Sequence, residues 1–275
     1  MHIKTVTKSI TLFALLAFAL GSRLAAADVI VGANVAAAEQ ISLDQIDHTV
    51  WDGLLKKYVD AKGLVNYKAW KANSVDAQAL DQYLFHLSHS NDKGTKSQQL
   101  AFWINAYNAV TVKGILREYP TSSIRNHTAK LIGYNIWKNL LLVVGGKQMS
   151  LDEIEHQVLR KMGEPRIHFA IVCASIGCPR LLDEAYVSER LDEQLTVNSR
   201  VFFADSTKFR FDANLKTFYV SPIMQWFGED FGDSESARLK TIARYISDPA
   251  ASQAAASGRG SMSFVDYDWG LNDQK

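Results

Sequence analysis

The fold is decided by the stretch Gln98-Gln-Leu-Ala-Phe-Trp-Ile-Asn-Ala-Tyr-Asn-Ala-Val-Thr-Val-Lys-Gly-Ile-Leu-Arg117. Its pattern predicts a helix over residues 97–118, because apolar residues recur at helical spacing and Tyr119-Pro120 ends the run. A helix that is apolar almost all round is typical of a protein interior. We therefore expect this helix to lie at the centre of the core.

Two amides interrupt this apolar helix. Asn105 and Asn108 are three residues apart and share one helix face. Each must find a partner, because an unsatisfied buried polar group costs roughly 1–3 kcal/mol. Two interpretations stay open: the amides tie the helix to a neighbouring loop, or one of them orients a catalytic imidazole or donates to an oxyanion.

Shorter patterns surround the central helix. Further helical patterns lie at residues 44–58, 77–87, 151–162, 188–205 and 236–246. Extended patterns, most of them joined in hairpins, lie at residues 140–144, 147–149, 167–173, 208–211, 215–220 and 262–265. This combination predicts a helix-rich α+β fold in one domain, with the central buried helix packed on a small, mostly antiparallel sheet.

The N-terminus has the pattern of a secretory signal. Lys4 and Lys8 precede an apolar run over residues 10–20, which is shorter than the roughly 20 residues that span a bilayer. Ala25-Ala26-Ala27 offers small residues for cleavage. We predict a signal peptide over residues 1–27, a flexible segment over 28–43 and one globular domain over 44–275, located in the periplasm or outside the cell.

The net charge and the sequence motifs limit the classes of partner and cofactor that we expect. Removal of residues 1–27 changes the formal net charge from +1 to −2, and no basic block follows, which argues against nucleic acid. No later apolar segment is long enough to cross a membrane, so we predict no integral membrane segment after signal removal. Neither a phosphate-binding glycine loop nor a zinc-ligand pattern is present, and we predict no cofactor and no metal.

The two cysteines of the chain lie in Cys173-Ala-Ser-Ile-Gly-Cys178-Pro179. Cys173 ends an apolar run over residues 167–173 that predicts a buried strand, and Cys178 lies in the turn that follows. A group at a strand end that enters a loop is held rigidly and still exposed. In an exported protein such a pair forms a disulfide, or one cysteine serves as a nucleophile.

Three ionisable residues are candidates to assist Cys173. Glu155 projects into the apolar arc of the helix over 151–162, where a carboxylate requires a structural partner or a chemical role. His168 lies five residues before Cys173, and in a regular strand the two side chains would point to opposite faces about 17 Å apart. His156 is not restricted in this way, so we favour His156 over His168 as the base.

Several motifs resemble the family called domain of unknown function 547, whose bacterial members often look exported. They are Phe102-Trp-Ile-Asn-Ala-Tyr-Asn108, Ile154-Glu-His156 and His168-Phe-Ala-Ile-Val-Cys-Ala-Ser175 with Cys178-Pro179. The resemblance extends over residues 58–272 and implies no secure substrate. The order of helix and histidine is similar to that of papain-like and transglutaminase-like hydrolases, although in those folds the cysteine precedes the histidine.

Three functions remain open at this point. The first is a cysteine-dependent amide or ester hydrolase or acyl transferase of the cell envelope, acting on a peptide or small amide or ester. Cys173 would be its nucleophile, activated by His156 or His168, with Glu155 or Asn105 orienting the base. The second is a non-catalytic envelope binding domain with a structural Cys173–Cys178 disulfide. The third is a thiol–disulfide exchange protein, whose spacing departs from Cys-x-x-Cys.

Overall fold

The computed structural model describes residues 28–128 and 135–274, so the predicted signal peptide lies outside the described residues. The helices are α1 Thr49–Tyr58, α2 Tyr67–Ala72, α3 Ser74–Leu87, α4 Lys96–Glu118, α5 Ile136–Asn139, α6 Leu151–Glu153, α7 Leu191–Ala204, α8 Ile223–Trp226, α9 Gly228–Phe231, α10 Glu235–Ile242 and α11 Pro249–Ser257. The strands are β1 Val29–Val31, β2 Leu140–Val144, β3 Lys147–Ser150, β4 Phe209–Asp212, β5 Thr217–Val220 and β6 Ser261–Phe264.

Helix α4 is the predicted central helix. It begins at a capping box, in which the Thr95 hydroxyl accepts the Gln98 N–H at 3.3 Å and the Gln98 side chain accepts the Thr95 N–H at 2.8 Å. From Leu100 to Leu116 nearly every side chain is buried. The prediction of a core helix is therefore confirmed, and helices α2, α3 and α6 and strand β2 pack against it.

The strands form two small mixed sheets, with orders β1-β2-β3 and β4-β5-β6. In each sheet one pair is antiparallel and the other parallel. The predicted hairpin β2–β3 is present, and its turn uses Gly145 and Gly146 at φ of 56° and 74°, which glycine adopts without steric cost. The α+β class is confirmed, whereas the sheet expected to be single and mostly antiparallel is divided in two.

Two apolar cores share the molecule. The first surrounds α4 and contains the fully buried Trp51, Trp70 and Trp103. The second is rich in phenylalanine and fills the space between β4–β6 and helices α7, α10 and α11. Residues 165–173 pass between them, because Phe169 packs in the second core and Ile167 in the first.

The predicted strand over 167–173 is wrong. Residues Pro165–Phe169 form a 3-10 helix, and irregular backbone follows to Cys173. The error has a physical reason, because periodicity alone does not separate a short buried strand from another buried segment.

Side chains make the hydrogen bonds to the backbone of this segment that neighbouring strands would make in a sheet. The Asn108 amide donates to the Ala170 carbonyl at 3.0 Å, and its oxygen accepts the Val172 N–H at 2.9 Å. The Asn198 amide donates to the Phe169 carbonyl at 2.6 Å. The irregular segment is therefore buried without orphaned backbone groups at these positions.

Asn105 acts in the same way on another loop. It donates to the Tyr186 carbonyl at 2.8 Å and accepts the Tyr186 N–H at 2.9 Å. Both amides of α4 thus tie the helix to neighbouring loops, which is the first of the two interpretations of the sequence.

The N-terminal part of the described chain joins the first sheet. In the segment 28–43, for which the sequence predicts flexibility, β1 pairs with β2 and Val31 is buried. Among residues 28–128 and 135–274, no helix is both long and apolar enough to cross a membrane.

Replacement of Asn108 by alanine should destabilise the protein by roughly 2–4 kcal/mol, because it leaves two buried backbone groups unpaired. Urea unfolding followed by tryptophan fluorescence measures this change. Asn214→Ala is the matched control, since Asn214 is exposed in the β4–β5 turn, and it should change stability by no more than about 0.5 kcal/mol. Equal stabilities of the two variants would contradict the role of Asn108.

Candidate functional site

The two cysteines meet in a tight turn. Ala174 is buried and has a φ of 54°, a left-handed conformation that is uncommon for a residue with a side chain. The Asn272 N–H donates to the Ala174 carbonyl at 3.1 Å, and the Cys178 N–H donates to the Ser175 carbonyl at 3.1 Å. Cys173 and Cys178 form a disulfide across this turn.

The two sulfurs differ in exposure and in hydrogen bonding. Cys173 is partly exposed, whereas Cys178 is only 5% exposed. The Cys178 sulfur accepts hydrogen bonds from the Cys173 N–H at 2.9 Å and from the Tyr267 hydroxyl at 3.1 Å. The Ser175 hydroxyl donates to the Tyr267 oxygen at 3.1 Å. The same two hydroxyls lie 3.1 and 3.2 Å from the Cys173 sulfur.

The disulfide forms part of the wall of a pocket of about 170 Å³. Both cysteines, Glu155 and His168 line this pocket. Most of the remaining wall consists of aromatic rings from both cores and from the C-terminal segment: Tyr107, Trp137, Trp226, Phe227, Tyr267 and Trp269. We call it the aromatic pocket. A concave, largely apolar site with a few converging polar groups is the usual form of a ligand site.

A histidine on the pocket wall is rigidly oriented. His168 is buried, its Nε2 lies 2.6 Å from an Asp230 carboxylate oxygen, and its ring stacks on Phe227 at 4.3 Å. Arg160 donates to the same carboxylate at 2.7 and 3.0 Å. Burial alone would raise the pKa of Asp230, but the bonds from His168 and Arg160 outweigh it and hold that pKa below its usual range. The His168 Nδ1 has no hydrogen-bond partner among the described residues.

Glu155 is the second ionisable group on the wall. It lies in a π-helical turn, Ile154–Leu159, that continues α6, and such turns are frequent at functional sites. The Tyr107 hydroxyl donates to its carboxylate at 3.1 Å. Burial raises the pKa of the Glu155 carboxyl above its usual value of 4.5, although His168 and His156 oppose the rise.

The structure brings three of the five predicted site residues together. Cys173, Glu155 and His168 line the aromatic pocket, whereas His156 and Asn105 do not. His156 lies toward solvent, and its Nδ1 is 3.0 Å from an Arg160 guanidinium nitrogen. Asn105 lies in the first core on the Tyr186 backbone. This placement favours His168 over His156 as a partner of Cys173, and the catalytic roles stay predictions.

Three residues of the site were not singled out from the sequence. Tyr267 contacts both sulfurs across a separation of about 90 residues and lies in the aromatic segment Tyr267-Asp-Trp-Gly-Leu-Asn272. Asp230 resembles an ordinary surface acid, and Ser175 an ordinary turn residue. Contacts over such separations leave no periodic pattern in the chain.

In the part of the chain that the structure describes, no group of three or more His, Cys, Asp or Glu side chains could hold a metal ion.

Fold and site together define an α+β domain with a disulfide in the wall of an aromatic pocket. The model of the family described as "Protein of unknown function, DUF547" matches residues 92–203, and this part of the chain belongs to that family. The match confirms the resemblance seen in the sequence and contains α4, Glu155, His168 and both cysteines. No curated protein and no solved structure matches the chain.

Glu155→Gln should become increasingly stable relative to the unmodified protein as the pH rises above 4.5. The pKa of Glu155 is raised in the folded state, so the folded state binds this proton more tightly than the unfolded chain, and its stability falls as the pH passes through that pKa. Glutamine carries no such charge. Urea unfolding of both proteins between acid and neutral pH measures the difference.

Glu153→Gln is the matched control on the same helical stretch. Hydrogen bonds from Ser150 lower the pKa of Glu153, so its contribution to stability is present above 4.5 and is lost as the pH falls through the folded-state pKa. The two variants should therefore show opposite trends with pH. A pH-independent difference for Glu155→Gln would contradict a raised pKa of Glu155 in the folded state.

Proposed function

We propose that this protein is exported and that its Cys173–Cys178 disulfide undergoes thiol–disulfide exchange with the thiols of a partner. One observation carries the proposal: the two cysteines differ in exposure and in hydrogen bonding, and exchange requires one sulfur that a partner can reach and one that can leave as a thiolate. Both cysteines line the pocket, but residue Cys173 is partly exposed, whereas Cys178 is only 5% exposed and its sulfur accepts two hydrogen bonds. Donors of this kind stabilise a thiolate.

The reaction proceeds in two displacements. A partner thiolate attacks the Cys173 sulfur, a new sulfur–sulfur bond forms, and the Cys173–Cys178 bond breaks with its electron pair on Cys178. A second partner thiolate then attacks the partner's sulfur in the mixed disulfide, and Cys173 leaves as a thiolate. Two partner thiols are oxidised to a disulfide, and the two cysteines are reduced to thiols that take up the released protons.

We assign a role to each group near the two sulfurs from its hydrogen bonds and its position in the pocket. The Cys173 N–H and the Tyr267 hydroxyl stabilise the charge that develops on Cys178 in the first step. The Ser175 hydroxyl orients the Tyr267 hydroxyl by donating to its oxygen. Glu155 and His168 are the titratable groups of the pocket that are available to exchange protons with the released thiols.

Export is supported by the chemistry of the pair as well as by the N-terminal sequence. Disulfides persist in oxidising compartments such as the periplasm and the cell exterior. A partner with free thiols or a labile disulfide in that compartment would supply the second half of the reaction.

A cysteine-dependent amide or ester hydrolase or acyl transferase is the second candidate. One observation favours it: His168, held by Asp230, lines the same pocket as Cys173. However, Cys173 is bonded to Cys178, and its sulfur has no hydrogen bond to a histidine among the described residues. Hydrolysis would therefore require prior reduction. A reduced protein that cleaves amides or esters and loses this activity in Cys173→Ser would favour this candidate.

A purely structural disulfide is the remaining alternative, and its stabilising effect would be limited. The bridge joins residues only five positions apart, and closure of such a small loop contributes about 2 kcal/mol. The double variant Cys173→Ser/Cys178→Ser should therefore stay folded and lose no more than about that amount. Urea unfolding with circular dichroism tests this, and an unfolded double variant would contradict an exchange role that needs a folded dithiol.

Single-cysteine variants test the inequality of the sulfurs. The free Cys173 of Cys178→Ser should react with a small aromatic disulfide roughly tenfold or more faster than the free Cys178 of Cys173→Ser, because Cys173 is the more exposed of the two residues. Mass spectrometry and absorbance of the released thiol measure the rates. In urea the two variants should react alike, which isolates the effect of the fold. Equal rates in the folded state, or a faster Cys178, would refute the proposed order of attack.

A further inference from the structure

The aromatic rings of the pocket lie beside the sulfur that a partner must reach. Trp226, Tyr267 and Trp269 form a cluster with ring centroids 4.6 to 5.8 Å apart. The hydroxyl of Tyr267 in this cluster contacts both sulfurs. Any molecule whose sulfur attacks Cys173 from within the pocket therefore brings its neighbouring atoms against these rings.

The volume of the pocket sets the size of the group that fits. An apolar cavity of about 150 Å³ holds one benzene molecule. At about 170 Å³ the aromatic pocket has room for one aromatic or branched aliphatic side chain. Trp226 is 45% exposed, which leaves an apolar surface that an incoming group would cover.

The charged groups that face the pocket do not favour a charged occupant. The carboxylate of Asp230 is held by His168 and Arg160, and Glu155 accepts the Tyr107 hydroxyl. Burial raises the pKa of Glu155, as expected for a carboxyl group that is poorly solvated. A neutral ring or aliphatic group would be better accommodated than a cation or an anion.

We infer that the partner is a protein cysteine whose neighbouring side chain is aromatic or branched aliphatic, and that this side chain enters the aromatic pocket while the thiol attacks Cys173. The inference rests on the proposed exchange function and specifies its substrate class. The pocket would thus select cysteines in apolar sequence surroundings, such as those that unfolded or newly exported chains expose.

The test uses short peptides with one cysteine. The oxidised protein is reacted with five peptides: acetyl-Phe-Cys-amide, acetyl-Leu-Cys-amide, acetyl-Gly-Cys-amide, acetyl-Lys-Cys-amide and acetyl-Glu-Cys-amide. The second-order rate constant of mixed-disulfide formation is measured for each peptide and divided by the fraction of that peptide present as thiolate. The phenylalanine and leucine peptides should react roughly tenfold or more faster than the glycine peptide, because they bury an apolar group in the transition state.

Trp226→Ala should lower the ratio of the phenylalanine rate to the glycine rate toward one, because Trp226 forms part of the apolar wall. Phe85→Ala is the matched control, since Phe85 is 48% exposed and does not line the pocket, and it should keep the ratio of the unmodified protein. Circular dichroism verifies that both variants fold, and the peptide series on the unmodified protein is decisive even without them.

The outcomes separate the two proposals. Equal rates for all five peptides, or the fastest rate for the lysine or glutamate peptide, would overturn the substrate class and leave exchange intact. Failure of every peptide to react at the folded disulfide would overturn exchange and this inference together. An unchanged ratio in Trp226→Ala would refute the assignment of the side chain to the aromatic pocket.

Discussion

The paired hydrogen bonds between the Asn108 side chain and the backbone of Ala170 and Val172 are the contact on which the site depends. The chain between the two cores is irregular, and a buried irregular segment survives only when its N–H and carbonyl groups are paired. An amide offers one donor and one acceptor, so Asn108 does for two residues what a neighbouring strand would do. Since α4 is packed on nearly all sides, it transmits its own rigidity to the backbone that leads into Cys173.

The same arrangement explains why a pocket forms at this place. Residues 165–173 lie between the two cores, and Ile171, Val172 and Cys173 of this segment line the pocket. The C-terminal segment completes the wall: Tyr267 reaches the sulfurs, and the N–H of Asn272 holds the Ala174 carbonyl. Ala174 keeps its left-handed conformation because the surrounding bonds fix the turn. Two segments far apart in sequence therefore fix the position of one disulfide.

The sequence predicted those parts of the fold that local physics determines. Helix α4 and the β2–β3 hairpin follow from periodicity and from a two-glycine turn, each within a short span of chain. The strand expected over 167–173 failed, because its apolar pattern reflects burial between two cores and its backbone partners are side chains of distant helices. Glu155 is recognisable from the sequence because it interrupts the apolar face of its own helix. Asp230 and Tyr267 are not recognisable, because their significance arises only from contacts across the fold.

The preference for His168 over His156 follows from the failed strand. In a regular strand, His168 and Cys173, which are five positions apart, would have their side chains on opposite faces. The 3-10 turn over Pro165–Phe169 and the irregular residues after it shorten this path and rotate both side chains toward one pocket. His156 projects from the neighbouring helical stretch toward solvent and does not line the pocket that contains the sulfurs. The irregular backbone that the periodic pattern does not predict thus brings an oriented imidazole and a disulfide to the same apolar pocket as Glu155, whose pKa is raised by burial.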